Sequence, residues 1–187
     1  IAGIFNISSD KIIVHPNGID LDQFNATLSQ KEARETLKMP INKPIALYSG
    51  RFYNWKGLEI LFRVAREISA DALIYLVGGS EDELKKISGE GAIPQNLICA
   101  GGKDYKEMPL WLAAADVLIV LGTKKNDYSY LHTSPMKLME YMASRRPIVA
   151  SRTPANLEII GEGEAVFYEP DDYKDFAGKI NSVLKNP

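Results

Sequence analysis

The chain has 187 residues, 45% of them hydrophobic, with 22 Lys and Arg set against 24 Asp and Glu. That length allows one domain with a sizeable core, and a formal charge of −2 removes any general electrostatic drive toward nucleic acid or membrane surfaces. The lone cysteine, Cys99, excludes an intrachain disulfide and fits a reducing, cytoplasmic compartment.

No apolar run approaches the ~20 residues that span a bilayer. The start, "IAGIFNISSDKI", has no charged segment followed by a long apolar one, so it does not read as a signal peptide. Residues 11–14 are a strand candidate, and "NGIDLDQF" after them resembles a turn. Residues 29–39 have helix-forming composition with Ser29 at the cap. A strand is expected over 45–49, then a helix over 56–69 with Leu58, Leu61, Phe62 and Ala65 on one face. Residues 72–77 form the next strand, and Ser80 and Glu83 have capping-box spacing before a helix. "NLICAG" is a strand in which Cys99 reads as a small buried side chain. Pro109 opens the helix "PLWLAAA", and "DVLIVL" is a further strand. Ser134 and Pro135 read as cap and first position of another helix. The strand "PIVAS", a short helix near 154–160, the strand "AVFYE" and a helix over 173–184 complete the chain. Asp171 and Asp172 in "PDD" suit capping of that last helix better than metal binding.

Strands that are continuously apolar, alternating with helices, imply a parallel sheet covered on both faces. The fold class is therefore α/β: a doubly wound, Rossmann-like parallel sheet of about six strands with helices on both faces. No repeat or internal domain boundary divides residues 1–187.

Ligands of such sheets bind at the carboxyl ends of the strands. The loop after the 45–49 strand carries Gly50, Arg51 and Lys56, and the loop after "DVLIVL" carries Lys124, Lys125, His132 and Lys137. Lys137 falls in the first turn of a helix, where the dipole favours anions. A phosphate at that helix start would offset its charge, with Arg51 and Lys56 completing an anion clamp. The alternative is a set of solvated loop cations, which is the preferred reading of Lys124 and Lys125. Glu140, deeper in the same helix, could accept from both hydroxyls of a ribose or be an exposed helix glutamate. Neither Gly-x-Gly-x-x-Gly nor Gly-x-x-x-x-Gly-Lys-Ser/Thr occurs, and His15 and His132 have no cysteine partners at metal spacing.

The ordered set "HPNGIDLDQF", "GRFYNWKG", "LVGG", "ICAGG", "AAADVLIV", "SPMKLMEYMASRRPIVAS" and "LEII" resembles the C-terminal domain of retaining glycosyltransferases of the GT-B fold, family 4 type. The resemblance covers nearly the whole chain and implies one half of a GT-B fold that binds a nucleoside diphosphate sugar. It implies that Arg51 and Lys56 contact the donor diphosphate and stabilise it as it leaves. It places Glu140 on the ribose, and Thr133, Ser134, Pro135 and Met136 against phosphate or sugar. It puts the loop after "ICAGG" near the nucleobase, with Lys103 beside it, and it implies donor binding with no metal and no cofactor.

One position departs from the family, which often has two glutamates eight residues apart. Glu140 matches the second, and His132 stands at the first. His132 either bonds a sugar hydroxyl or serves the loop structurally. The resemblance further implies that the chain is a fragment lacking an N-terminal acceptor-binding domain, inactive in transfer by itself. The acceptor would be a glycan or lipid, with polysaccharide or glycolipid biosynthesis as the setting. No nucleic-acid partner is expected, and peripheral contact with the inner face of a membrane would come only through the other half or a lipid acceptor. Two alternatives compete with a transferase: a nucleotide-sugar epimerase or hydrolase on the same scaffold, and a flavodoxin-like interaction module.

Overall fold

A computed structural model describes residues 2–13, 17–24, 28–133 and 136–186. Three short helices precede the sheet: α1 (Ala2–Phe5), α2 (Leu21–Phe24) and α3 (Gln30–Thr36). α3 starts where its capping residues dictate. The Glu32 N–H donates to Ser29 Oγ at 3.3 Å, and the Ser29 N–H donates back to the Glu32 carboxylate at 2.8 Å. Of the expected strand at 11–14, Lys11 ends a 3-10 turn over Ser9–Lys11, and Ile12 and Ile13 join no strand. Ser8 donates to Asp10 there, and such local side-chain bonds compete with strand pairing. Val14 and His15 lie outside the described residues.

The remaining elements alternate: β1 (Ile45–Ser49), α4 (Ile60–Glu67), β2 (Leu73–Val77), α5 (Glu81–Ser88), β3 (Leu97–Gly101) and α6 (Met108–Ala114). Then come β4 (Val117–Val120), α7 (Met136–Ala143), β5 (Ile148–Ser151), α8 (Pro154–Leu157), β6 (Val166–Tyr168) and α9 (Tyr173–Lys185). The six strands pair in parallel in the order β3-β2-β1-β4-β5-β6. This order reverses direction between β1 and β4, which opens a crevice beyond their carboxyl ends. Ala46 pairs with Val117 and Leu47 with Leu118 at that reversal.

Burial on both faces explains why β1, β2, β4 and β5 read as unbroken apolar runs, whereas β3 lies at the sheet edge and leaves Cys99 only partly buried, not the buried side chain expected. Ile45, Leu47, Leu118 and Val120 pack with Trp111, Leu112, Leu138 and Tyr141 of α6 and α7. Ala46, Tyr48, Val117 and Ile119 pack on the other face with Leu61, Phe62, Phe176 and Ile180 of α4 and α9. Beneath the amino end of the sheet, Arg34 is 4% exposed. It donates to Asp116 at 2.7 Å and to the carbonyls of Ala114 and Ile41 at 2.8 Å each, tying α3 to the sheet. The Ile45 N–H donates to the same Asp116 carboxylate at 2.7 Å.

α4 begins later than the sequence suggests. Asn54–Lys56 is a 3-10 turn, and helix starts only at Ile60. Gly57, with φ +75°, stands between the two and breaks the continuity. Lys56 therefore belongs to the loop beyond β1. Asp172 caps α9 as expected, accepting from the N–H groups of Lys174 and Asp175 at 3.0 Å each. Among the described residues no helix is long and apolar enough to cross a membrane.

Candidate functional site

Beyond the reversal between β1 and β4 lies a cavity of about 270 Å³. Tyr48 at the end of β1, Trp55 and Lys56 from the next loop, and Val120 and Leu121 at the end of β4 line it. The wall is completed by Tyr128, Ser129 and Thr133 from the loop after β4, and by Met136 and Lys137 of α7.

α7 is held there by Tyr141. Its hydroxyl accepts from the Ser49 N–H at 2.8 Å, which fixes the helix against the end of β1. Lys137, one turn earlier, then reaches across the sheet edge. Its Nζ lies 3.8 Å from the centroid of the Tyr48 ring, a close cation–π contact. Gly50 makes room for that reach: it has φ +131°, and a Cβ there would stand 2.8 Å from Lys137 Nζ. Gly78, at φ +123°, lets the end of β2 pass close by, since a Cβ on it would meet the Gly50 carbonyl oxygen at 2.5 Å.

Lys56 comes from the opposite wall. Its Nζ donates to the Arg51 carbonyl at 3.1 Å and lies 4.9 Å and 5.2 Å from the Tyr53 and Trp55 ring centroids. Both ammonium groups are depressed. Burial holds Lys137 well below the ordinary lysine range, the Lys56 charge adds to the effect, and Glu140 partly offsets it. Burial lowers Lys56 too, with the Arg51 charge second. Two cations thus face one cavity, and among the described residues neither makes an ion pair.

Glu140 is 7% exposed, so it is not a solvated helix glutamate. Burial raises its carboxyl pKa, while the Tyr105 hydroxyl bond and the Lys137 charge pull it back. It stands between the cationic cavity and the loop after β3, where a 3-10 turn over Tyr105–Glu107 supplies that tyrosine. Lys103 is on the same loop, exposed, with its Nζ 5.4 Å from the Trp111 ring.

The structure therefore gathers Gly50, Lys56, Thr133, Met136 and Lys137, and puts Glu140 next to them. Arg51 is exposed beside the cavity rather than lining it, with Nη1 3.4 Å from the Tyr53 hydroxyl. His132 is exposed in a π-helical turn over Tyr128–His132 and does not line the cavity. Ser134 and Pro135 lie outside the described residues. Lys124 and Lys125 pair at the surface with Glu169 and Glu59. Sequence reasoning passes over the aromatic lining of Tyr48, Trp55 and Tyr128, and it passes over the loop role of Asp171. That carboxylate orders the loop after β4, accepting from Thr123 Oγ1 at 2.6 Å and from the Lys124 N–H at 2.8 Å.

A doubly wound parallel sheet with a cationic crevice at its strand-order reversal defines a Rossmann-like α/β domain. The chain belongs to the group 1 glycosyltransferases: the family described as "Glycosyl transferases group 1" matches residues 29–187. It is 24% identical over 190 residues to the putative colanic acid biosynthesis glycosyl transferase WcaI of Escherichia coli K12, covering 97% of this chain and 46% of that protein. Sucrose-phosphate synthase from Thermosynechococcus elongatus is similar in structure, with 28% identity and a TM-score of 0.74 over 92% of this chain and 43% of that one. Anabaena HepE, solved in complex with UDP and glucose, shares the fold at 20% identity and a TM-score of 0.74, over 91% of this chain and 46% of that one. The chain spans about half or less of the curated relatives it matches, 31% and 48% in two cases.

Proposed function

We propose that this chain is the donor-binding domain of a retaining glycosyltransferase that moves a sugar from a nucleoside diphosphate to a glycan or lipid acceptor. The observation that carries the reading is the pair of ammonium groups, Lys56 and Lys137, facing one cavity without an ion-pair partner among the described residues. A diphosphate seated between them would supply the missing charge. Those cations would then stabilise the charge that grows on the diphosphate as the sugar leaves, the role of preorganised electrostatics. Arg51, exposed at the rim, would close on the phosphates from outside, and no metal is required.

Glu140 would accept from the ribose hydroxyls, and the loop carrying Lys103 and Tyr105 would flank the base. Thr133, Ser134, Pro135 and Met136 would lie against phosphate or sugar, with His132 beyond them toward the sugar. The rest of the longer protein would hold the acceptor, because transfer needs both substrates in line. Calorimetric titration of the chain with UDP, GDP and ADP in EDTA tests the reading. Binding of one of them is expected. Failure of all three at millimolar concentration would refute it. UDP is the first choice of ligand because HepE was solved with it.

A further inference from the structure

We propose that the Tyr48 hydroxyl is a further ligand-binding group of this site, donating a hydrogen bond to an oxygen of the anion held between Lys56 and Lys137. The inference rests on the nucleoside diphosphate reading and adds a residue to it. Tyr48 is fully buried and lines the cavity, yet among the described residues its hydroxyl has no hydrogen-bond partner. A buried phenol is rarely left so, because an unmade bond forfeits the full desolvation cost of the group. Its neighbours Tyr141 and Ser49 bond to each other instead.

The geometry aims the group at the same spot as the lysine. A Cβ built on Gly50 would stand 2.8 Å from Lys137 Nζ and 3.5 Å from the Tyr48 hydroxyl. The glycine thus lets an ammonium and a phenol share one corner, where Lys137 lies over the Tyr48 ring and the hydroxyl has almost no exposed surface, so an anion reaches it only as that ammonium shifts. Burial raises the phenol's pKa well above its ordinary value, so it stays an O–H donor at any working pH. A donor of this kind is unsatisfied in the free protein and satisfied by a phosphate oxygen, which makes it an example of stability given up for a binding site.

The test is Tyr48→Phe, which keeps the ring beneath Lys137 and removes one oxygen. The ligand is whichever of UDP, GDP and ADP wild type binds in EDTA, and melting temperature is measured alongside. The variant should bind about ten- to a hundredfold more weakly, the range for a hydrogen bond to a charged group. The free variant should melt at or above wild type, since an unpaired hydroxyl has been removed. Equal affinity would overturn the inference while leaving the nucleotide reading intact. A large fall in melting temperature would also overturn it, by showing that the hydroxyl has a partner in the free protein. If wild type binds none of the three diphosphates, the nucleotide reading fails first and this inference with it.

Discussion

Replacing Lys137 by methionine separates a binding lysine from a structural one. Methionine keeps the unbranched stem and suits a helix, so α7 should be undisturbed. In the free protein the change removes an ammonium that burial disfavours. It also removes the cation–π contact at 3.8 Å from the Tyr48 ring, worth about 0.5–2 kcal/mol. Because Lys137 lies well below the ordinary lysine range, its charged form is net unfavourable there, and an apolar replacement should be neutral or stabilising. With a diphosphate bound the sign reverses. A lost charge-assisted bond costs ~1.5–3 kcal/mol, about ten- to a hundredfold in affinity. Melting curves and calorimetric titration, run together, read both effects.

The pH dependence comes from the same group. A lysine whose folded pKa is depressed holds fewer protons than the unfolded chain between that lowered value and the ordinary lysine range. Stability should therefore rise with pH across that window, and Lys137→Met should flatten the rise, leaving the smaller contribution of Lys56. Bound phosphate restores the charge, so binding takes up a proton and weakens as pH rises through the window. The groups facing Lys137 are Lys56, Glu140 and the Tyr48 ring. Unchanged affinity together with a lower melting temperature would show that Lys137 pins α7 to β1, and the reasoning would fail.

Lys56→Ala should weaken diphosphate binding by ~1.5–3 kcal/mol, whereas the exposed Arg51→Ala should cost less and lose its effect at high salt; titrations at two ionic strengths would show it, and equal losses would contradict the placement. Glu140→Gln should erase discrimination between the diphosphate and its 2′-deoxy analogue, because the amide replaces one acceptor by a donor. His132→Ala should leave the bare diphosphate's affinity unchanged, as an exposed residue outside the cavity would. Arg34→Ala should lower stability by ~1.5–3 kcal/mol through loss of its charge-assisted bond to Asp116, which keeps the Ile45 N–H, with nucleotide affinity unaltered in the folded fraction. Denaturant unfolding checks that value.

Strand identity is legible because two-sided burial leaves a plain mark: "IALYS" and "DVLIV" have no polar alternation to confuse them. Capping chemistry is equally readable at Ser29, Ser80 and Asp172, where local side-chain bonds decide the helix start. The start of α4 is misleading because Leu58, Leu61 and Phe62 keep helical spacing through a turn that Gly57 interrupts. The cations stand out in sequence because they cluster just past the carboxyl ends of β1 and β4, where a parallel sheet takes its ligands. Their inequality does not, because only the packing of Tyr141 on Ser49 decides that Lys137 turns inward while Arg51 stays out. The buried tyrosine Tyr48 looks like ordinary core in a strand of apolar residues. Its role depends on an unpartnered oxygen, which no sequence pattern records.

The most direct test of the site is a crystal structure of the chain grown with the diphosphate it binds best. Phosphate oxygens are expected between Lys56 Nζ and Lys137 Nζ, with the ribose hydroxyls on the Glu140 carboxylate. A nucleotide bound elsewhere, or phosphates that leave Lys137 without a contact, would contradict the donor-site assignment.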